Sequence, residues 1–171
     1  GAGLRERLEA EGVEVRAMAV RSPVPEKQRF LVGAQKVMKV DLVEPLILDA
    51  AQQDRFVDLA VDACRGGVDG AAVTDFGRGL FAPKMMARLC AGLRPVARVL
   101  AGDVSGKLSN LRAMRGMDLL CPSEEELRAA MRLHSEGLPL VAYRLLEATQ
   151  SRGAMVTLGG DGTLRFSAHL S

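Results

Sequence analysis

Tryptophan is absent from the 171-residue sequence, tyrosine occurs once and histidine only twice. His134 and His169 alone, with no Cys-x-x-Cys pair, leave too few ligands for a structural zinc site. Neither histidine sits in a serine–acid arrangement, so a hydrolase triad has no support. The three cysteines, Cys64, Cys90 and Cys121, are odd in number and widely spaced. That excludes a disulfide scaffold and fits a reduced, cytoplasmic setting. No apolar run approaches the ~18 residues of a membrane span. An excess of one charge sign is also missing: 23 Lys+Arg face 21 Asp+Glu, and aromatics amount to 4%. Dispersed charge with few aromatics excludes a nucleic-acid surface. The chain begins Gly1-Ala2-Gly3, without a methionine or a signal peptide, and runs straight into a helix. It reads as a piece of a longer protein.

What is present is ordinary for a globular domain. Hydrophobic residues make up 48% and charged residues 26%, near the usual ~45–50% and ~25%. A chain of this size buries roughly 70% of its unfolded surface, enough for a core without metal or disulfide.

Leu4 and Leu8, one turn apart, mark an amphipathic helix over 4–10 that Gly12 stops. The alternation from Val13 to Val20 predicts a half-buried strand, and Pro23 and Pro25 a turn after it. Two further strands are expected over 27–32 and 35–42, reversing at Gly33-Ala34. Residues 13–44 therefore read as a small antiparallel β lid, and residues 45–171 as an α/β core. In that core Asp49 caps a helix to about Cys64, with Phe56, Leu59, Ala60 and Ala63 facing inward. Strands over 70–74, 96–101, 117–121 and 154–158 alternate with helices. Pro83 opens one helix and Gly92 closes it, Ser123 and Glu126 form a capping box for another, and a third runs over 140–151. This rhythm predicts parallel β-α-β units in a doubly wound, Rossmann-like sheet. Ligands bind such sheets beyond the carboxyl ends of the strands. Four loops follow from that rule.

The first is Thr74-Asp75-Phe76-Gly77-Arg78-Gly79-Leu80, a carboxylate at a strand end and a guanidinium between glycines. It suits a polyol or an anion, and it equally suits a β-α turn in which Asp75 bonds its own backbone. The second, Gly102-Asp103-Val104-Ser105-Gly106-Lys107-Leu108, is not a Walker A loop. Its glycines are separated by three residues rather than four, and Leu108 stands where a hydroxyl is required. Lys107 with neighbouring backbone N–H groups can still contact an anion. The third, Cys121-Pro122-Ser123-Glu124-Glu125-Glu126, is explained by capping and the helix dipole alone. Its functional reading makes Glu126 the holder of a hydrated magnesium, a role that competes with capping. In the fourth, Val156-Thr157-Leu158-Gly159-Gly160-Asp161-Gly162-Thr163, Asp161-Gly162 signals a hairpin. Three glycines exceed what a hairpin needs, and the surplus points to close backbone approach of a ligand.

Taken in order, these pieces resemble the carbohydrate kinases of the ribokinase (PfkB) family. Glu26-Lys27-Gln28-Arg29-Phe30-Leu31-Val32-Gly33-Ala34-Gln35-Lys36-Val37-Met38-Lys39-Val40-Asp41 is similar to the lid of the heptose-phosphate kinase half of ADP-heptose synthases. The Asp75 loop resembles that branch's Ser-Asp-Tyr-x-Lys-Gly-x-Leu, with Phe76 and Arg78 replacing Tyr and Lys. Cys121 to Glu126 stands where the family has Thr-Pro-Asn-x-x-Glu, with Ser123 for Asn. Val156 to Gly162 matches its Val-Thr-x-Gly-x-x-Gly.

The resemblance implies ATP-dependent phosphorylation of a sugar or sugar phosphate with Mg²⁺, the lid match pointing to D-glycero-D-manno-heptose 7-phosphate. It assigns nucleotide contacts to Ser123, Thr157, Gly159, Asp161 and Gly162, and Mg²⁺ organisation to Glu126. Substrate contacts fall to Lys27, Arg29, Gln35, Lys39, Asp41, Asp75, Arg78 and Asp103. The family's Asp-Pro-Lys is here Asp103-Val104-Ser105, so its lysine is missing unless Lys107 substitutes. Its N-terminal Gly-Gly motif and its Gly-Ala-Gly-Asp do not occur. The second of these carries the catalytic aspartate, which the resemblance places beyond Ser171, so no catalytic residue is expected within the chain. The chain reads as a central kinase fragment, inactive alone, with a homodimer through the β lid. The alternative is a non-catalytic nucleotide- or metabolite-binding module of the same fold.

Overall fold

The computed structural model describes residues 2–20, 26–33, 35–42, 44–105 and 110–168. Helix α1 (Ala2–Ala10) ends where Gly12 takes a positive φ of 79°. Strands β1 (Glu26–Val32) and β2 (Gln35–Leu42) form an antiparallel ribbon, irregular between Phe30 and Leu31. Gly33 turns the chain between them at φ 61°. The ribbon is as expected, but the strand anticipated over 13–20 is not formed: that stretch joins no sheet among the described residues. Its apolar alternation serves packing instead, with Met18 and Val20 resting on the core. The prolines of the expected turn at 21–25 lie outside the described residues. So does Ser171, the residue beyond which the catalytic aspartate is expected; the description of that end stops at Ala168.

The core is a five-stranded sheet in the order β3 (Val68–Asp75), β4 (Ala97–Val104), β5 (Leu119–Leu120), β6 (Gly153–Thr157) and β7 (Thr163–Ser167). The first four run parallel and β7 returns antiparallel. Helices α2 (Ala50–Ala63), α3 (Pro83–Leu93), α4 (Glu124–Met131) and α5 (Leu138–Thr149) accompany it, with a short 3₁₀ turn at Leu111–Ala113 joining β4 to β5. This is the mostly parallel α/β architecture that the alternating pattern predicts, with the small antiparallel sheet near the N-terminus. Along the strands the two faces differ sharply. Val73, Leu100, Val104, Leu120, Ala154 and Val156 are buried with Met85, Met86, Leu145 and Leu146 in one core. Their alternates Thr74, Val99, Asp103, Met155 and Thr157 are exposed.

Local signals set most boundaries. Asp49 and Gln52 form a reciprocal capping box on α2, with Gln52 N–H donating to Asp49 Oδ1 at 2.8 Å. The residue that α2 buries is Val57; Phe56, Leu59 and Ala60 are half-buried, and Ala63 is exposed. Gly92 does not close α3, which continues to Leu93. It is instead a contact glycine, since a Cβ there would stand 2.7 Å from Val61 Cγ2 of α2. Strand β4 reaches Val104 rather than 101, which carries Asp103 into the sheet.

Strand β5 is two residues long, with ladder partners Ala101 and Gly102 on one side and Ala154 on the other. Asp118, immediately before it, makes good that brevity. Its Oδ2 accepts from Leu100 N–H at 2.8 Å and from Arg94 at 2.6 Å, and its Oδ1 accepts from Arg152 at 3.0 Å. One carboxylate thus joins β4, the end of α3 and the start of β6. Burial would raise this carboxyl, but the Arg94 and Leu100 hydrogen bonds and the two guanidinium charges outweigh it and hold it below the usual range. Arg152 is largely exposed, so solvent screening discounts the pair.

Asp118→Ala is expected to cost about 2 kcal/mol, between a charged hydrogen bond and a fully buried pair. Because the native carboxyl is depressed, that contribution is full above about pH 4 and fades as the pH falls further. Urea melts of both proteins from pH 7 to pH 3 check it: the gap must stay constant and then narrow.

Candidate active site

Parallel strands bring four loops to one edge of the sheet. Asp75 ends β3 and is 3% exposed, with both carboxylate oxygens bonded. Oδ1 accepts from Gly77 N–H at 3.0 Å, which is the turn-forming bond weighed for this loop. Oδ2 accepts from the Asn110 amide, which also donates to the Phe81 carbonyl at 2.9 Å. The Asp75 carbonyl receives Ser105 N–H from the end of β4 at 2.7 Å. Asp75 is therefore a strut that fixes the loop. Gly79 in that loop has φ 86°, and a Cβ would lie 3.3 Å from Pro45, so only glycine fits. Arg78, half-buried beside it, accepts Leu46 N–H at its carbonyl at 2.9 Å.

Sequence reasoning does not single out Asn110. It is 4% exposed, and its Oδ1 has no hydrogen-bond partner among the described residues. The available signal is an amide just ahead of the apolar positions Leu111, Met114 and Met117, all fully buried.

Next along the edge, Asp103 is paired in register with Thr74. Partial burial, then the charge of Glu126, raise its carboxyl above the ordinary value, against a backbone bond from Val104. Asp103 in turn adds to burial in raising the Cys121 thiol. Asp103, Cys121 and Glu126 therefore share one small field. Cys90, buried in the core, is pushed up to about 11, chiefly by burial, and is inert at neutral pH.

Glu126 is held by the capping box on α4. Its Oε2 accepts Ser123 N–H at 2.8 Å, and Ser123 Oγ accepts Glu126 N–H at 3.2 Å. Only one carboxylate oxygen is used, and Oε1 has no hydrogen bond among the described residues. Capping, expected to compete with cation holding, therefore occupies one of the two oxygens. Ser123 bridges to Thr157 in parallel fashion, and Thr157 N–H donates to the Pro122 carbonyl at 3.0 Å. Thr157 is exposed at the end of β6.

Beyond Thr157 the hairpin forms as expected, but its turn is the five-residue Leu158–Gly162 rather than Asp161-Gly162 alone, with a 3₁₀ turn over Gly159–Asp161. Gly159 at φ 63° and Gly162 at φ 92° are required by the backbone. The surplus glycine is thus reduced to Gly160, which a Cβ would leave without a contact. Asp161 is exposed on the same turn.

The structure brings together Asp103, Glu126, Ser123, Thr157 and the Gly159–Gly162 turn, with Asp75 as the adjoining support. Lys107 lies outside the described residues. In the ribbon, Lys27 is registered opposite Asp41 and Arg29 opposite Lys39, positions on one side of β1 and β2. Gln35 is registered with Val32, beyond the irregularity. The side chains of Lys27, Gln35, Lys39 and Asp41 lie outside what the structure describes; Arg29 is exposed. Magnesium commonly takes one or two protein carboxylates and completes its shell with water and phosphate. Asp103 and Glu126, like charges in mutual repulsion, fit that demand. No larger cluster of metal-ligating side chains occurs among the described residues.

Neither a family model nor a curated protein matches the sequence. The structure is similar to that of Escherichia coli phosphofructokinase-2 in complex with potassium, with a TM-score of 0.76 at 16% identity over 98% of this chain. The tetrameric inhibited form of that enzyme gives 0.75 at 17% identity over 98%. Staphylococcus aureus pyridoxal kinase in complex with AMP-PCP and pyridoxal gives 0.56 at 12% identity over 84%. Likeness at such identity is a likeness of fold. The chain has the ribokinase-like α/β fold, and it spans about 55% of the length of these proteins.

Glu126→Gln keeps the capping box while removing the charge. It is expected to lower the Asp103 pKa toward, but not to, the ordinary value, because burial persists. Carboxyl-detected NMR titration checks this, and an unmoved Asp103 would show that the two carboxyls do not interact.

Proposed function

We propose that this chain forms the nucleotide-side half of a carbohydrate kinase of the PfkB type. The observation that carries the reading is the convergence of Asp103, Glu126, Ser123 and Thr157 with a glycine turn at the carboxyl ends of parallel strands. Phosphoryl transfer asks a protein mainly for positioning and for neutralisation of charge. In this reading Ser123, Thr157 and the N–H groups of the Gly159–Gly162 turn receive the nucleotide phosphates, with Asp161 beside them. Asp103 and Glu126 hold Mg²⁺, which supplies charge neutralisation at the phosphates when bound. Arg78, on the loop braced by Asp75, and the basic positions Lys27, Arg29 and Lys39 of the ribbon are assigned to the anionic side of a sugar phosphate, with Gln35 and Asp41 assigned to its hydroxyls.

The lid match supports a heptose phosphate as the acceptor. Proton removal from the attacking hydroxyl is assigned by the same resemblance to the aspartate of a Gly-Ala-Gly-Asp segment that these 171 residues do not contain. The chain by itself is accordingly a binder of nucleotide without turnover. The ribbon exposes Phe30, Leu31, Val37 and Met38, an apolar surface with open edges that supports pairing with a second copy. Among the described residues no helix is long and apolar enough to cross a membrane.

Calorimetry with AMP-PCP tests the reading. Binding is expected to tighten with Mg²⁺, and Glu126→Gln to remove about tenfold of that Mg²⁺-dependent gain while leaving metal-free binding little changed. Absence of nucleotide binding overturns the proposal, and sugar-dependent ATP turnover by this chain overturns the assignment of the missing base.

A further inference from the structure

Among the described residues, the connection from β4 to β5 holds one 3₁₀ turn where its neighbours hold full helices. A groove of about 700 Å³ lies beside that turn. Ala87 of α3, Ala113 of the turn and Ala130 of α4 contribute small apolar walls, and Arg112, Arg115 and Arg132 also line it. Among the described residues no carboxylate does. The groove shares no residue with the candidate active site.

The three arginines are gathered at one groove. Arg16, Arg65, Arg88, Arg94, Arg98, Arg128, Arg144 and Arg152 each pair with an acid. Arg112, Arg115 and Arg132 have no ion pair among the described residues, although Lys+Arg and Asp+Glu nearly balance over the chain. Helix α3, whose first residue Pro83 also lines the groove, starts without a capping side chain and without an acid in its first turn. The charged side chains of the lining all have the same sign, while the helix dipoles are mixed, since α3 starts at the groove and α4 and α5 end there. Guanidinium groups match phosphate geometry through paired N–H donors, and the volume falls within the ~300–1,000 Å³ of small-molecule sites.

We propose that this groove is a second binding site, for a small phosphorylated molecule with at least two negative charges. The alanines admit a compact body between α3 and α4, and the arginines neutralise its phosphates. This assignment is independent of the kinase reading, because it rests on residues that the kinase reading does not use.

The test is an NMR titration of the chain with inorganic pyrophosphate, without Mg²⁺ and at constant ionic strength, following arginine Nε–H and backbone amide signals. Saturable shifts of Arg112, Arg115 and Arg132 with a sub-millimolar midpoint are expected. Arg112→Gln/Arg132→Gln should weaken the midpoint at least tenfold, whereas Arg98→Gln, remote on β4, should not. Shifts confined to the Gly159–Gly162 turn, a non-saturating drift, or an unchanged midpoint in the double variant overturn the proposal. Should the double variant not fold, Arg132→Gln alone must weaken the midpoint at least threefold, and an unchanged value overturns it.

Discussion

The carboxylate of Asp118 is the constraint on which the arrangement of strands depends. A parallel sheet gains its order from long ladders, yet its middle strand here is only two residues long. Backbone pairing that short leaves register weakly specified. Asp118 substitutes a charged side chain for the missing ladder, holding β4 through Leu100 N–H and the flanking segments through Arg94 and Arg152. The opposite ends of the same strands then meet at one edge. Cys121 N–H reaches the Gly102 carbonyl at 2.9 Å, and Thr157 N–H reaches that of Pro122. The clamp lies at the amino edge of the sheet and the candidate chemistry at the carboxyl edge, so one can be rigid while the other stays accessible.

The two edges use acids in opposite ways. Asp118 is surrounded by cations and donors, and its carboxyl is depressed. Asp103, partly desolvated although exposed, stands within reach of another acid's charge, and its carboxyl is raised. A fold gains stability from the first arrangement and loses some to the second, since like charges brought together oppose ionisation. A repulsive pair kept at the carboxyl ends of parallel strands is a candidate functional feature on physical grounds. Asp75 belongs to neither group: buried and doubly bonded, it shapes a loop from within.

Much of this is legible in the residues alone, for reasons that differ by position. Asp49 with Gln52, and Ser123 with Glu126, announce helices because their side chains satisfy the free N–H groups at the start, a local requirement readable from spacing. The alternation over 27–32 and 35–42 and the rhythm of strands and helices are equally local. What the sequence does not disclose depends on neighbours. Val13 to Val20 has the period of a strand but lacks a ladder partner among the described residues. Gly92 looks like a stop, and its reason is the approach of Val61 from another helix. Asn110 becomes structural only because Asp75 and Phe81, far away in the chain, come to meet it. Asp103 reads as part of a loop because the apolar run ends at Ala101, whereas pairing with β3 carries the strand three residues further.

Glu126 shows how an economical structural explanation and a functional one can hold for the same atoms. The capping box is sufficient reason for its identity, and on sequence grounds it competes with cation binding. In three dimensions the competition disappears, because a carboxylate has two oxygens and the cap takes one. The bond from Ser123 N–H also fixes the direction of the side chain, which an exposed glutamate elsewhere on a helix would have to lose entropy to attain. Its charge is felt at Asp103 on the adjacent strand. In the proposed reading, a cap that fixes a carboxylate whose charge reaches a second acid does part of the work of a cation site before any cation arrives, since pre-ordering removes a cost from binding. In the proposed reading the helix start and the cation site are one device, and the residue type that best serves the first is also the one the second requires.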